Sequence, residues 1–214
     1  MQLNPGRFNS FLNRIGQKVS WRPSVACPCL SEHSGAAEIG CPLCHGKGHI
    51  WSAGIDGVVG VSRQAVEPEW KDFGNYEAGD MTATVGSDSP LYDMGRFDRV
   101  ELRNSTDRFS RVLTRGVDDA TLDVPVVKLT RLVWRSFDKK SLIEGTLPVW
   151  DSATRALVFP AGGVAPDPGQ QYTLVGDKYD EYFVWMQLPS DRNEHQGAPL
   201  PKRVQLRKWD LFGR

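Results

Sequence analysis

Residues 17–51 read QKVSWRPSVACPCLSEHSGAAEIGCPLCHGKGHIW and contain all four cysteines of the 214-residue chain. The spacing is Cys-x-Cys at Cys27 and Cys29, eleven intervening residues, then Cys-x-x-Cys at Cys41 and Cys44. Two such pairs joined by a short loop have the form of two chelating half-sites, and one tetrahedral ion, zinc first among them, would satisfy four thiolates. On the near side, Val19 and Trp21 alternate with polar residues as in a strand, and on the far side Ile50-Trp51 lead out again. The stretch therefore reads as a metal-stapled excursion between two strands.

Disulfides or free thiols, and an iron–sulfur centre, are the other uses of four cysteines. A disulfide needs Cα atoms about 4.4–6.8 Å apart with a defined torsion. Three of the four cysteines lie beside proline or glycine in short turns, which works against that geometry. His45-Gly46-Lys47-Gly48 favours metal, because glycine lets the backbone curl until its N–H groups point at sulfur. CPLCHGKG resembles the Cys-x-x-Cys-x-Gly-x-Gly half-site of the zinc-binding J-domain chaperones, a likeness of eight residues that implies a metal turn without chaperone activity. His33, His45 and His49 share the loop; the reading for all three is solvated side chains, with His45 the candidate to replace a thiolate. Four thiolates close the coordination shell, so the expected site is structural: it activates no water and contributes folding free energy.

Working outward, Asn4-Pro5 places a cap and a first-turn proline ahead of Phe8, Phe11, Leu12 and Ile15, which recur at helical spacing until Gly16. The pattern predicts a three-turn amphipathic helix that must dock, on its own domain or on a neighbouring subunit. Beyond Gly57 the pattern is strand after strand: Val58–Ala65, Asp80–Val85, Arg99–Arg103, Phe109–Thr114, Val124–Arg135, Thr146–Trp150, Arg155–Phe159, Gln171–Val175, Glu181–Leu188 and Arg203–Lys208. Turn chemistry separates them, as in Pro166-Asp167-Pro168-Gly169. With no second helix of ten residues and no βαβ alternation, the fold class is mainly β: an antiparallel sandwich or barrel with a short N-terminal amphipathic helix and a metal-stapled cysteine loop. The expected division is 1–56 for helix, strand and zinc-binding loop, and 57–214 for the β-rich domain. The irregular stretch Glu67–Gly79 holds Trp70, Phe73 and Tyr76, which suit either a local core or a partner interface.

Net charge is zero, which removes the bulk electrostatic case for nucleic acid or a membrane surface. Charge is nevertheless in blocks. Residues 66–95 hold seven acids against Lys71, residues 96–140 hold eleven bases against seven acids, and residues 200–214 hold five bases against Asp210. Such blocks read first as solvated faces; the sharper reading is that acidic and basic surfaces of successive copies meet in a heterologous contact that closes into a ring. No apolar run reaches the roughly 20 residues of a membrane helix. The opening MQLNPGRF lacks the order of a secretory signal, so a reducing cytoplasm is expected.

Catalytic patterns are missing: there is no Gly-x-Ser-x-Gly, no phosphate loop in a strand-turn-helix setting, and no open metal site. The acid pairs Asp118-Asp119 and Asp180-Glu181 read as turn material. The expectation is no enzyme, with a metal-dependent enzyme as the second alternative. A zinc-ribbon nucleic-acid-binding module is the first alternative, opposed by a loop that carries Glu32 and Glu38 but no base between Cys29 and Cys41.

The opening NPGRFNSFLNRIGQ, the strand ending in WR, CPC with CPLCHGKGHIW, GDMTATVGSDSPLYDMGRFDRV and the closing LPKRVQLRKWDLFGR together resemble virion structural proteins of tailed bacteriophages over most of the chain. That resemblance implies a collar, connector or stopper subunit of the neck, between head portal and tail. Its partners would be copies of itself in a ring and other neck, portal or tail proteins, and DNA passing through the lumen would be contacted weakly at most.

Overall fold

The computed structural model describes residues 5–63, 79–120, 122–138, 140–152, 154–188, 194–195 and 197–212. Of the expected features, Trp70, Phe73 and Tyr76 lie outside these residues, as does Asn4. The elements in chain order are helix α1 (Pro5–Ile15) and strands β1 (Gln17–Arg22), β2 (Ser24–Ala26), β3 (His49–Trp51), β4 (Ile55–Arg63), β5 (Met81–Val85), β6 (Arg99–Thr114) and β7 (Val126–Arg135). They continue with β8 (Leu142–Glu144), β9 (Val149–Asp151), β10 (Ala156–Val158), β11 (Gln171–Gln187), β12 (Glu194–His195), β13 (Ala198–Pro199) and β14 (Lys202–Lys208), and end in a 3₁₀ turn, Trp209–Leu211. The mainly β expectation holds, and the alternative it settles on is the barrel.

Two compact units are present: residues 1–104 with 181–214, and residues 105–180. The expected division after residue 56 does not follow the strands, since β1 and β4 pair across it, with Ser20 opposite Asp56 and Val19 opposite Gly57. The chain passes from one unit to the other inside β6 and returns inside β11. Sequence reading breaks each of these into two strands, because residues 104–108 and 176–180 are polar. Backbone pairing needs no apolar side chain, so the strands run through.

The first unit is a closed six-stranded antiparallel barrel in the order β14-β5-β4-β1-β6-β11, closed by β11 on β14. Its interior follows a strict period of two. Val19 and Trp21 of β1 stand opposite Leu102 and Val100 of β6, and Ala83 of β5 lies between Val61 and Val204. All but Val61 are buried in one core with Val59, Val85, Tyr182, Val184 and Leu206. At roughly 1.5–3 kcal/mol per fully buried aliphatic or aromatic side chain, this interior is the main stabilising term of the barrel.

Helix α1 forms where the spacing predicts it, but docks by a different face. Leu12 is buried, and a Cβ on Gly60 would stand 2.7 Å from its Cδ2, so glycine is what admits the leucine. Asn9 is also buried, with Nδ2 donating to Ser87 Oγ at 3.0 Å and Oδ1 accepting from the Ser87 N–H. Phe8, Phe11 and Ile15 remain exposed.

In the second unit, residues 105–114 of β6 and 171–180 of β11 join β7 and β8 in one sheet, with β9 and β10 as a separate hairpin. Phe109, Leu113, Leu132, Trp134, Tyr172 and Leu174 form its core with Leu122, Val124 and Leu157. Ser105 Oγ donates to Asp180 Oδ2, which puts two residues of the polar centres of β6 and β11 in contact.

Candidate metal centre

The cysteine loop is gathered at its neck by β2 and β3, which pair antiparallel with Ser24 opposite Trp51 and Ala26 opposite His49. Cys27 follows at once, and its N–H donates to Gly48 O at 2.8 Å, closing the neck one step further in. Each half-site then turns back on itself. Leu30 N–H donates to Cys27 O at 3.0 Å in the first, and His45 and Lys47 N–H groups donate to Cys41 O and Cys44 O at 2.9 and 3.0 Å in the second. His45, Gly46 and Gly48 take positive φ of 50°, 79° and 73°. A glycine adopts this conformation without the Cβ clash that other residues suffer.

These turns converge the four sulfurs. The Sγ atoms of Cys27, Cys29, Cys41 and Cys44 all lie within 4.8 Å of one another, and Cys27, Cys41 and Cys44 are buried. Cys27 to Cys41 is 3.8 Å and Cys29 to Cys44 is 3.5 Å, so all four are free thiols and no disulfide is formed. A tetrahedral ion with metal–sulfur bonds of about 2.3 Å requires sulfur–sulfur edges of about 3.8 Å, so the cluster fits such an ion. The four cysteines could hold a metal ion as the sequence predicts.

Backbone N–H groups reach the sulfurs as the glycines suggest. Burial works against an ionised Cys44, but the Gly48 N–H and the neighbouring cysteines outweigh it and hold the thiol down at about 7. Cys29 receives the Glu38 N–H, yet burial and the three other sulfurs push it up to about 12. Cys27 receives the N–H of Cys29, and burial still carries it above the ordinary thiol value. Cys44 is therefore predisposed to ionise, and a cation would supply the charge that ionises Cys27 and Cys29.

No histidine joins the cluster. His33 and His45 are exposed, in line with the solvated reading. His49 is not solvated: its ring centroid lies 4.6 Å from Phe97 and 5.9 Å from Phe212, and burial lowers its pKa while Asp98 opposes the shift.

His49 belongs to the set of contacts that fastens the loop to the barrel, which sequence reasoning does not foresee. Trp51 donates from Nε1 to Phe97 O at 3.0 Å and meets Trp209 and Phe212 edge to face. Trp209 and Phe212 stack with centroids 5.0 Å apart. Lys47 Nζ stands 5.0 Å over the Trp209 ring, and the Arg99 guanidinium 4.3 Å from the same ring. Arg99 is paired with Glu181, Nε donating to Oε1 at 2.7 Å, both side chains 2% exposed. Asp98 ties the loop entrance to the barrel: it accepts from Trp21 Nε1, Ser24 N–H and Gly95 N–H, each at 2.7 Å. The visible signal for this joint was the aromatic content of RKWDLF at residues 207–212 and of HIW at residues 49–51; nothing in sequence order says that they meet.

The acid pairs are engaged in structural contacts. Asp118 accepts from Thr114 N–H, Asp119 from Arg115 and Gly116 N–H, Asp180 from Ser105, and Glu181 from Arg99. The basic block is sharper than its count. Asp98, Glu101 and Asp119 are buried, whereas Arg99 is the one buried base among the described residues of 96–140. No helix among the described residues is long and apolar enough to cross a membrane.

Residues 1–104 and 181–214 thus form a closed six-stranded antiparallel barrel that bears a four-cysteine loop. No family model matches the chain, and comparison with curated proteins gives no match.

Proposed function

We propose that this chain is a non-catalytic structural subunit of the neck of a tailed bacteriophage. It is one copy of a ring between head portal and tail, and its four cysteines hold one structural zinc ion. The observation that carries the reading is the way the cysteine loop is held. Its four sulfurs converge, its base is fastened by Asp98, Trp51, Trp209 and Phe212, and its outer residues Ile39 and Leu43 point to solvent at 92% and 65% exposure. Such a loop has a fastened base and exposed apolar side chains, as an assembly contact requires. The likeness of the quoted segments to phage virion proteins supplies the particular assembly.

A single ion is favoured over an iron–sulfur cluster by the spacing, since four sulfurs within 4.8 Å of one another leave room for one ion and not for several irons, and a closed thiolate shell speaks against a catalytic ion. Four thiolates in a single tetrahedron leave no open position for water or substrate. The ion would substitute for the apolar core that a loop of glycine, serine and alanine lacks. In the virion the copies would contact DNA weakly at most, and neighbouring neck, portal or tail proteins would be the binding partners.

Antibody raised against the chain tests the assignment. It is expected to label tailed particles at the head–tail junction, and loss of the chain should leave DNA-filled heads and finished tails unjoined. Purified virions without the chain would overturn the neck reading. Elemental analysis is expected to give one zinc per chain; protein that folds unchanged without metal would overturn the zinc site.

A further inference from the structure

Two surfaces of the barrel unit are apolar, opposite in charge and attached at opposite ends of one strand. The first is a groove of about 300 Å³ between α1 and the barrel wall, lined by Phe8, Phe11 and Ile15 on one side and Gly60, Val61 and Thr84 on the other. Leu12 alone of the large apolar residues of α1 is buried; Phe8, Phe11 and Ile15 are 39%, 47% and 57% exposed. The helix contains Arg7 and Arg14 and no acid, and exposed Lys18 follows it. The second surface is the exposed part of the cysteine loop that carries Ile39 and Leu43, called the knob below. Leu43 stands between buried Cys41 and Cys44, Ile39 lies two residues before Cys41, and the loop's charges between Cys29 and Cys41 are Glu32 and Glu38.

We infer that the knob of one copy, with Ile39 and Leu43 as anchors, seats in the α1 groove of the next copy. The inference deepens the ring reading above and rests on it, by naming the two surfaces that meet. Charge complementarity selects the partner: the loop carries Glu32 and Glu38 with no base between Cys29 and Cys41, and the helix carries Arg7 and Arg14 with no acid, which suppresses loop-to-loop and helix-to-helix pairing. Both surfaces remain exposed in the single chain, so neither fills the other. α1 enters β1 at Gln17 and the cysteine loop leaves it after Arg22, roughly 17 Å away at about 3.3 Å per residue. A knob and a groove on different patches make a heterologous contact, which propagates from copy to copy and closes when the rotation allows. Without the turns at Cys41–Cys44 the knob would have to be ordered on binding; with them it is pre-formed, which removes that cost.

Sedimentation velocity of the full zinc-loaded chain tests the assignment with two variants per surface: Leu43→Glu and Ile39→Glu on the knob, Phe11→Glu and Ile15→Glu on the groove. All four positions are exposed, and circular dichroism checks that each variant is folded. The wild type is expected to sediment as a closed oligomer, and each variant as a monomer with self-association weakened at least tenfold. An equimolar mixture of Leu43→Glu and Phe11→Glu has one intact knob and one intact groove, and is expected to form a 1:1 pair and nothing larger. Variants that assemble like the wild type overturn the knob and groove and leave the ring reading standing. A mixture that stays monomeric while the wild type assembles also overturns it, because that is the behaviour of a two-fold contact. A wild type that is monomeric at every concentration overturns both.

Discussion

Replacing Glu181 by glutamine leaves the Arg99 guanidinium buried without its carboxylate, and the cost follows from where the pair sits. Both side chains are 2% exposed. Water cannot repair the loss, and removing one partner of a buried pair typically costs about 3–5 kcal/mol. Against a total stability of roughly 5–15 kcal/mol that is a large fraction, and for a chain of this length it lowers Tm by about 6–20 °C. Stacking of Trp209 on Arg99 at 4.3 Å offsets part of the penalty, since a ring face attracts a cation. Replacing both residues, Arg99→Met with Glu181→Leu, removes the two charges together and is expected to be far milder than the sum of the single losses. The assay is urea unfolding followed by tryptophan fluorescence on wild type, both single variants and the double variant. The expected coupling is about 2–3 kcal/mol. A Glu181→Gln loss below about 1 kcal/mol, or a double variant as damaged as the two singles combined, would refute the buried pair as the anchor beneath the aromatic joint.

Four further outcomes follow from the loop and the helix. Removing metal with a strong chelator is expected to lower stability by about 4 kcal/mol relative to protein held at a thousandfold excess of free zinc over its dissociation constant; equal melting curves with and without chelator would contradict this. Gly48→Ala places a Cβ 3.0 Å from Leu30 Cδ2 in a residue at φ 73°, and is expected to cost about 1–2 kcal/mol and weaken zinc binding about tenfold or more, measured by competition with a chromophoric chelator. His49 has a lowered pKa through burial, so the folded chain prefers the neutral ring: its contribution is fully present above the ordinary value of 6.5 and is lost as pH falls through the lowered one. Melting temperature against pH should therefore fall less steeply below 6.5 in His49→Phe than in wild type, and parallel curves would be the contrary result. Leu12→Ala empties the one buried apolar anchor of α1, with an expected loss of about 3 kcal/mol and faster amide exchange confined to residues 5–15; unchanged exchange there would show that the helix is held by other contacts.

The cysteine cluster was the most legible part of the chain. Cys27, Cys29, Cys41 and Cys44 carry their geometry in their spacing, because a two-residue chelate and its glycine turn are local structures. The boundaries of α1 were legible for the same reason, but its docking face was not. Helical spacing marks Phe8, Phe11, Leu12 and Ile15 alike; the contact at Gly60 and the bonds between Asn9 and Ser87 decide that Leu12 and Asn9 go inward. Ser87 is 78 residues away from Asn9 in the chain, a separation over which no periodicity carries information. The domain boundary failed likewise: the glycines near residue 56 mark the entrance to β4, and β4 then returns to pair with β1.

Local sequence is enough to read a mainly β protein with a short N-terminal helix and a four-cysteine loop, since period two, period 3.6, turn residues and cysteine spacing all act over a few residues. Tertiary structure alone decided that the strands close into a barrel through β11 and β14, and that β6 and β11 run unbroken from one unit into the other. It alone brought Arg99 to Glu181 and Trp51 to Trp209 and Phe212. The physical reason is that closure, burial of charge and aromatic contact depend on which distant surfaces exclude water from each other. That is a property of the folded chain, and no single stretch of it contains the answer.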